Sequence, residues 1–294
     1  MGALGQQLRR AASRCAQPIV RRAARRYIAG AELPDALRVV EALRQAGRAT
    51  TIGFWDGAND TPEGVQRRYL ADLAAIARNH GDSNHADCYE SIKLPALRDQ
   101  PALLDPVIDT ALAHNIRVHF DSHGVEVADP MWQVAERARE RGATVSCSIP
   151  GRWRRSRADA RQAAERGILV RVVKGQWADP AEPALDQRAG FMTIIDELAG
   201  SPILVAVATH DVELGRQAIA RLQAAGTPCE WELLYGLPTR AILPVAAGLR
   251  APVRFYVPYG EAYLPYCLAQ AKRNPRLLGQ LMLDACRSVF ERQN

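Results

Sequence analysis

The sequence predicts a closed (β/α)8 barrel, and three observations carry the prediction. Eight short runs rich in β-branched and apolar residues recur along the chain, each followed by a stretch with helical spacing. Glycines 142, 167, 200 and 226 stand just before runs, where helices end. Ionisable or polar side chains close most runs, and barrels of this kind build active sites at the C-terminal ends of their strands. A chain of 294 residues suits one barrel of roughly 250 residues with additions.

Helices are expected at 3–29, broken at Pro18, and at 35–46. Residues 1–26 carry Arg9, Arg10, Arg14, Arg21, Arg22, Arg25 and Arg26 and no acid, while the rest of the chain holds 31 basic and 32 acidic side chains. Such an arm reads as a solvated arginine-rich surface, as a contact with anionic headgroups of a membrane, or as an Arg-rich presequence. No interleaved aromatics accompany the charge, so nucleic acid is not the expected partner. No apolar run approaches the roughly 20 residues that span a bilayer. The expected location is cytoplasmic, with the arm at most peripheral to an inner membrane.

The strand runs are 50–54, 88–94, 117–121, 144–149, 169–175, 203–209, 229–235 and 253–257. The helices between and after them are expected near 62–79, 99–114, 130–141, 156–166, 185–199, 211–225, 238–248 and 262–273, with a last helix near 276–292. A doubly wound sheet is the competing fold, but it uses a glycine-rich phosphate loop after its first strand. Gly53-Phe54-Trp55-Asp56-Gly57 is not such a loop. With no low-complexity linker, one domain is expected: residues 1–48 as a helical segment packing on the barrel, and 49–294 as the barrel with its C-terminal helix. The six cysteines form no CxxC pair and read as buried thiols of a reducing compartment.

Six strands end in groups that can do chemistry: Lys93; Asp121 and His123; Lys174; Thr209 and His210; Tyr235; and Tyr256. Burying charge is costly without a partner, so core packing alone does not explain the pattern. Each has a structural alternative: an ion pair for Lys93, helix capping for Asp121 and His210, an ordinary strand tyrosine for Tyr256. Arg171 is the sharpest case. An arginine opening the inner run Arg171-Val172-Val173-Lys174 requires an anion, and a bound reduced flavin would supply one.

Five segments, in order, resemble motifs of the proline dehydrogenase family. They are Ser91-Ile92-Lys93-Leu94, Arg171-Val172-Val173-Lys174-Gly175, Ala208-Thr209-His210, Glu230-Trp231-Glu232-Leu233-Leu234-Tyr235-Gly236 and Arg254-Phe255-Tyr256-Val257-Pro258-Tyr259-Gly260. The resemblance covers roughly residues 25–275. It implies a modified (β/α)8 barrel with FAD held non-covalently at the strand ends and a closing helix over the flavin. Hydride passes from a carbon beside a secondary amine to the flavin, and electrons then pass to a quinone or other acceptor. The resemblance puts Arg171, Lys174, Thr209, His210, Asp121 and Glu232 in the cofactor site. It puts Lys93, Asp121 and Arg171 with Tyr256 at the reacting centre. Lys93, Trp177, Leu234, Tyr256, Tyr266, Ala269 and Gln270 fall on the substrate wall.

The departures are as informative. After the family tyrosine, here Tyr266, two arginines three and four residues on clamp the substrate carboxylate; here they are Ala269 and Gln270. Losing such charge-assisted pairs from a pocket that still desolvates a carboxylate costs about 2–5 kcal/mol. Lys272 and Arg273 lie three residues further on, nearly one helical turn of about 5.4 Å, and offer a shifted clamp. The strand-four glutamine of the family is replaced within Ser148-Ile149-Pro150-Gly151-Arg152, the strand-seven glutamine by Glu232, and the Ala-Tyr pair by Gln176-Trp177. The expected function is therefore flavin-dependent oxidation of a small amine or imino acid other than free proline. The alternatives are a true proline dehydrogenase using Lys272 and Arg273, a Schiff-base barrel using Lys93 or Lys174, and a non-catalytic barrel. A metal hydrolase built on His119, Asp121, His123 and His210 is weaker, because residues four apart on a strand lie about 13 Å apart.

Overall fold

In a computed structural model the chain describes residues 29–80, 88–98 and 100–260. Eight parallel strands close into a barrel in sequence order, β1 pairing with both β2 and β8. They are β1 Ala49–Phe54, β2 Cys88–Ile92, β3 Val118–Phe120, β4 Val145–Pro150, β5 Leu169–Val173, β6 Val205–Ala208, β7 Cys229–Leu234 and β8 Val253–Tyr259. Helix α1, Leu33–Gln45, precedes the barrel. Between strands lie α2 Pro62–His80, α3 Pro101–Ala113, α4 Ala128–Glu140, α5 Ser156–Arg166, α6 Gln187–Leu198, α7 Val212–Ala224 and α8 Ile242–Gly248. The predicted helices at 3–29, 262–273 and 276–292 lie outside the described residues, save for the last residue of the first.

Strand alternation sorts the barrel wall. Outward residues such as Ile52, Phe120, Ile149, Val172, Val207 and Leu233 are fully buried under the helices. Trp231 sits beneath α7, where a side chain on Gly215 would collide with its indole. The four glycines before strands adopt positive φ, from 66° to 96°, which a side chain would strain. The starts of α6 and α7 are capped: Asp186 accepts from the backbone of Arg188 and Ala189, and Asp211 from Leu214.

The inner wall is unusually polar. Toward the N-terminal end, Tyr89 lies between two guanidinium groups, Arg117 at 4.4 Å and Arg254 at 4.6 Å from its ring centre. Arg254 donates to Glu230 at 2.8 Å and to the carbonyl of Thr50 at 2.6 Å. Above this layer, toward the strand C-termini, come Arg171 and Glu232. Cys88 and Cys147 are buried and Cys229 is half-buried, while Cys15, Cys267 and Cys286 lie outside the described residues. No described helix is long and apolar enough to cross a membrane.

Two predicted boundaries shift for local reasons. The second strand stops at Ile92, because Leu94-Pro95 opens a short 3-10 turn over Leu94–Leu97. The last strand runs two residues past the expected Val257, with Pro258 in register against Gly53.

Candidate active site

Arg171 organises the C-terminal half of the barrel interior. It projects inward from β5, beside Ser148 of β4 and Ala206 of β6 in register. Its Nε donates to Glu232 Oε2 at 2.7 Å and its Nη2 to Oε1 at 2.7 Å, a two-pronged pair with β7. Its Nη1 donates to Asp121 Oδ1 at 2.8 Å. Burial alone would lower the Arg171 pKa, but Glu232, Tyr89 and Asp121 hold it well above the ordinary arginine value. The same charge holds Glu232 and Asp121 ionised although burial pushes both upward. Two protein carboxylates thus supply anions for Arg171.

Asp121, just past β3, collects donors from four elements. Ser91 donates to Oδ2 at 2.8 Å and Tyr256 at 3.3 Å, while Ser148 donates to Oδ1 at 3.2 Å. It is a hub and not a helix cap. His119, two residues back on the inner face, contacts Ser146 through Nδ1 at 2.8 Å and Ser148 through Nε2 at 2.9 Å. Burial and the Arg171 charge push its pKa down to about 4, so it is a neutral spacer here.

Tyr256 lies over Arg171, ring centre 5.0 Å from the guanidinium carbon. Its hydroxyl accepts from the Trp55 indole at 2.9 Å. A side chain at Gly53 would collide with that hydroxyl, so glycine at the end of β1 makes the seat for Tyr256. Burial and Asp121 raise the phenol well above its ordinary pKa, which keeps it protonated. Lys93 follows β2 and is buried. Its Nζ donates to the carbonyl of Phe54 at 2.6 Å and stands 5.0 Å from the Trp55 ring. Burial lowers its pKa, and among the described residues no acid pairs with it directly.

The other predicted residues line the mouth. Lys174 follows β5 and lies 3.8 Å from Asp211, with burial and Arg188 lowering its pKa. Thr209 is buried and accepts from the backbone of Asp211 at 3.1 Å. His210 does not cap α7; Asp211 does. Its Nδ1 donates to the Pro238 carbonyl at 3.2 Å and its Nε2 accepts from the Leu234 backbone at 2.9 Å. Both nitrogens are spent on backbone, so His210 fixes the loops at the ends of β6 and β7. Trp177 is 41% exposed and stacks on His123 with ring centres 5.1 Å apart. Two nitrogens at this end, His123 Nε2 and Arg152 Nε, are buried without a hydrogen-bond partner.

Tyr266, Ala269, Gln270, Lys272 and Arg273 lie outside the described residues, as does the basic arm. Among the described residues no cluster of His, Cys, Asp and Glu could hold a metal ion. Sequence reasoning missed Trp55, Tyr89 and the bridging role of Ser91. The signal for the last two was the alternation Tyr89, Ser91, Lys93, which puts all three on one face of β2.

No family model matches the chain. By sequence it is 25% identical over 265 residues to Proline dehydrogenase 1 of Bacillus subtilis strain 168, covering 86% of this chain and 87% of that protein. The protein of that name from Bacillus subtilis subsp. natto matches equally. Among solved structures, proline utilization A from Bdellovibrio bacteriovorus inactivated by N-propargylglycine matches with a TM-score of 0.73, 18% identity and 86% of this chain. Proline utilization A from Corynebacterium freiburgense matches with a TM-score of 0.65, 16% identity and 95% of this chain. In both, this chain spans 33% of the larger protein. The resemblance to the proline dehydrogenase family and the barrel fold are borne out.

Proposed function

We propose that this relative of a proline dehydrogenase is an FAD-dependent dehydrogenase that oxidises a small secondary amine other than free proline.

 The product is an imine, and electrons leave to a quinone or another acceptor. The observation that carries this reading is the meeting of Arg171, Asp121, Tyr256 and Lys93 at the C-terminal end of one barrel, in a chain with that sequence relative.

The described residues fit a flavin. Planar rings of Trp55, Tyr256 and Trp177, the unpartnered nitrogens of His123 and Arg152, and the half-buried Lys174 all lie at one end of the barrel. Lys174 and Thr209 would hold the cofactor at the mouth, above Arg171 and Asp121. When bound, FAD would supply the hydride acceptor, chemistry that no side chain offers.

The chain's own residues supply position and proton control. An amine loses hydride only when neutral, and Lys93, its pKa lowered by burial, is suited to take the proton of an incoming ammonium. Asp121 is saturated with donors and holds Tyr256 in place as a wall against the substrate. Ala269 and Gln270, in place of the family's arginine pair, argue against free proline.

The visible spectrum of the purified protein tests the cofactor. Yellow protein that bleaches anaerobically with a cyclic amine supports the proposal. Protein that is colourless, and stays so after refolding with FAD, ends it.

A further inference from the structure

The charge of Arg171 is consumed inside the barrel. Nε and Nη2 face the two oxygens of Glu232, and Nη1 faces Asp121. Glu232 is held in turn by the Thr51 hydroxyl at 3.1 Å. The side chains of Arg171 and Glu232 are 5% and 2% exposed, so water screens neither. Two carboxylates therefore offset one guanidinium. His119 adds no charge, because burial and Arg171 push its pKa down to about 4. Arg254 also draws on Glu232 but is itself paired with Glu230, and burial works against the charge of Lys93. Even with Lys93 protonated, the cluster sums to zero.

We propose that Glu232 is a specificity-determining residue of the site: it cancels Arg171 and so disfavours a carboxylate on the substrate, selecting an amine that carries no anion beside it. This rests on the amine-oxidation reading above and names its substrate class. A carboxylate entering the site would meet a neutral or negative cluster in a poorly solvated barrel. Glu232 acts through Arg171 and is a positioning residue, not one that touches the substrate.

Glu232→Gln keeps the shape and an acceptor for Arg171 but removes one negative charge. At an effective dielectric of about 20, one unit charge about 7 Å away changes carboxylate binding roughly ten- to a hundredfold. The probes are pyrrolidine and pyrrolidine-2-carboxylate, which differ only by the anion. Their affinities are measured by calorimetry on the full chain, and their kcat/KM values by turnover. Wild type is expected to bind pyrrolidine more tightly. E232Q is expected to shift the affinity ratio toward the carboxylated amine by about tenfold or more. Asp121→Asn serves as a second variant and should shift the ratio in the same direction. A wild type that prefers the carboxylated amine, or an E232Q ratio equal to that of wild type, overturns the proposal. Failure of the cofactor reading appears separately, as colourless protein without turnover, while calorimetry still reads the charge preference.

Discussion

Tyr259, the last residue of β8, donates its hydroxyl to Asp72 Oδ1 of α2 across 2.6 Å. The bond ties the end of the barrel wall to a helix outside it. Asp72 lies beside Glu90, which points outward from β2, and both side chains are fully buried. Among the described residues no donor reaches Asp72 Oδ2 or either oxygen of Glu90, so one carboxyl can meet the other only through a proton. Burial raises Asp72 to about 7 against the pull of Tyr259 and Arg68, and burial with repulsion from Asp72 raises Glu90 well above its ordinary value. Lys93 opposes both shifts. In the folded state these carboxyls keep protons that the unfolded chain gives up.

The sign of the pH effect follows. Stability from this pair is fully present below the unfolded carboxyl range near pH 4. It is lost as pH rises through about 7. Asp72→Asn keeps an acceptor for Tyr259 and removes the proton linkage. Urea titrations between pH 4 and 8 should show the variant losing less stability than wild type, by about 2–4 kcal/mol at the upper end. Equal slopes in the two proteins would refute the assignment.

Arg171 should be far more costly to remove than the pair it forms. Arg171→Met leaves Glu232 and Asp121 buried without their cation, an expected loss of about 3–5 kcal/mol. Adding Glu232→Leu should recover part of that loss, since one stranded charge disappears. Chemical denaturation of the single and double variants measures both terms. A double variant less stable than Arg171→Met would contradict this account of the pairing.

Much of this arrangement was legible in the sequence, for a physical reason. Barrel strands show their ends locally, so Lys93, Asp121, Lys174 and Tyr256 could be placed by the residues that close each apolar run. What stayed hidden was pairing at a distance. Arg171 and Glu232 are 61 residues apart, and nothing near either identifies the other. The demand for an anion was readable, but its source was not. Glu90 was likewise masked inside an apolar run, and its neighbour Asp72 reads as a surface residue of a helix. His210 was placed correctly at a strand end, yet its two backbone partners come from another strand and a loop. The segment holding Ala269 and Gln270 lies outside the described residues.

Gly53 is a packing requirement for the site. A Cβ there would strike the Tyr256 hydroxyl, which is held by Trp55 and Asp121. Gly53→Ala must displace the half-buried Tyr256 ring, at an expected cost of about 1–3 kcal/mol. Activity should fall further than stability, because Tyr256 loses its seat over Arg171. Turnover and melting temperature measured on the same preparation separate the two effects. Unchanged turnover would mean that Tyr256 is not part of the substrate wall.

His210 should set an opposite pH dependence to that of Asp72. Burial pushes its pKa down to about 4, against the pull of its bond to the Pro238 carbonyl. A protonated ring would also lose the lone pair that accepts from Leu234. The folded state therefore resists a proton that the unfolded chain accepts near pH 6.5. Stability from this group is full above about 6.5 and falls as pH drops through about 4. His210→Gln offers a donor and an acceptor without titrating. Its stability should fall less steeply than that of wild type between pH 6.5 and 4. Asp72 and Glu90 act in the opposite sense over an overlapping range, and His119 in the same sense as His210, so each variant is read as a difference from wild type and the two differences should have opposite sign. Two variants whose slopes differ from wild type in the same direction would show that these groups do not oppose each other.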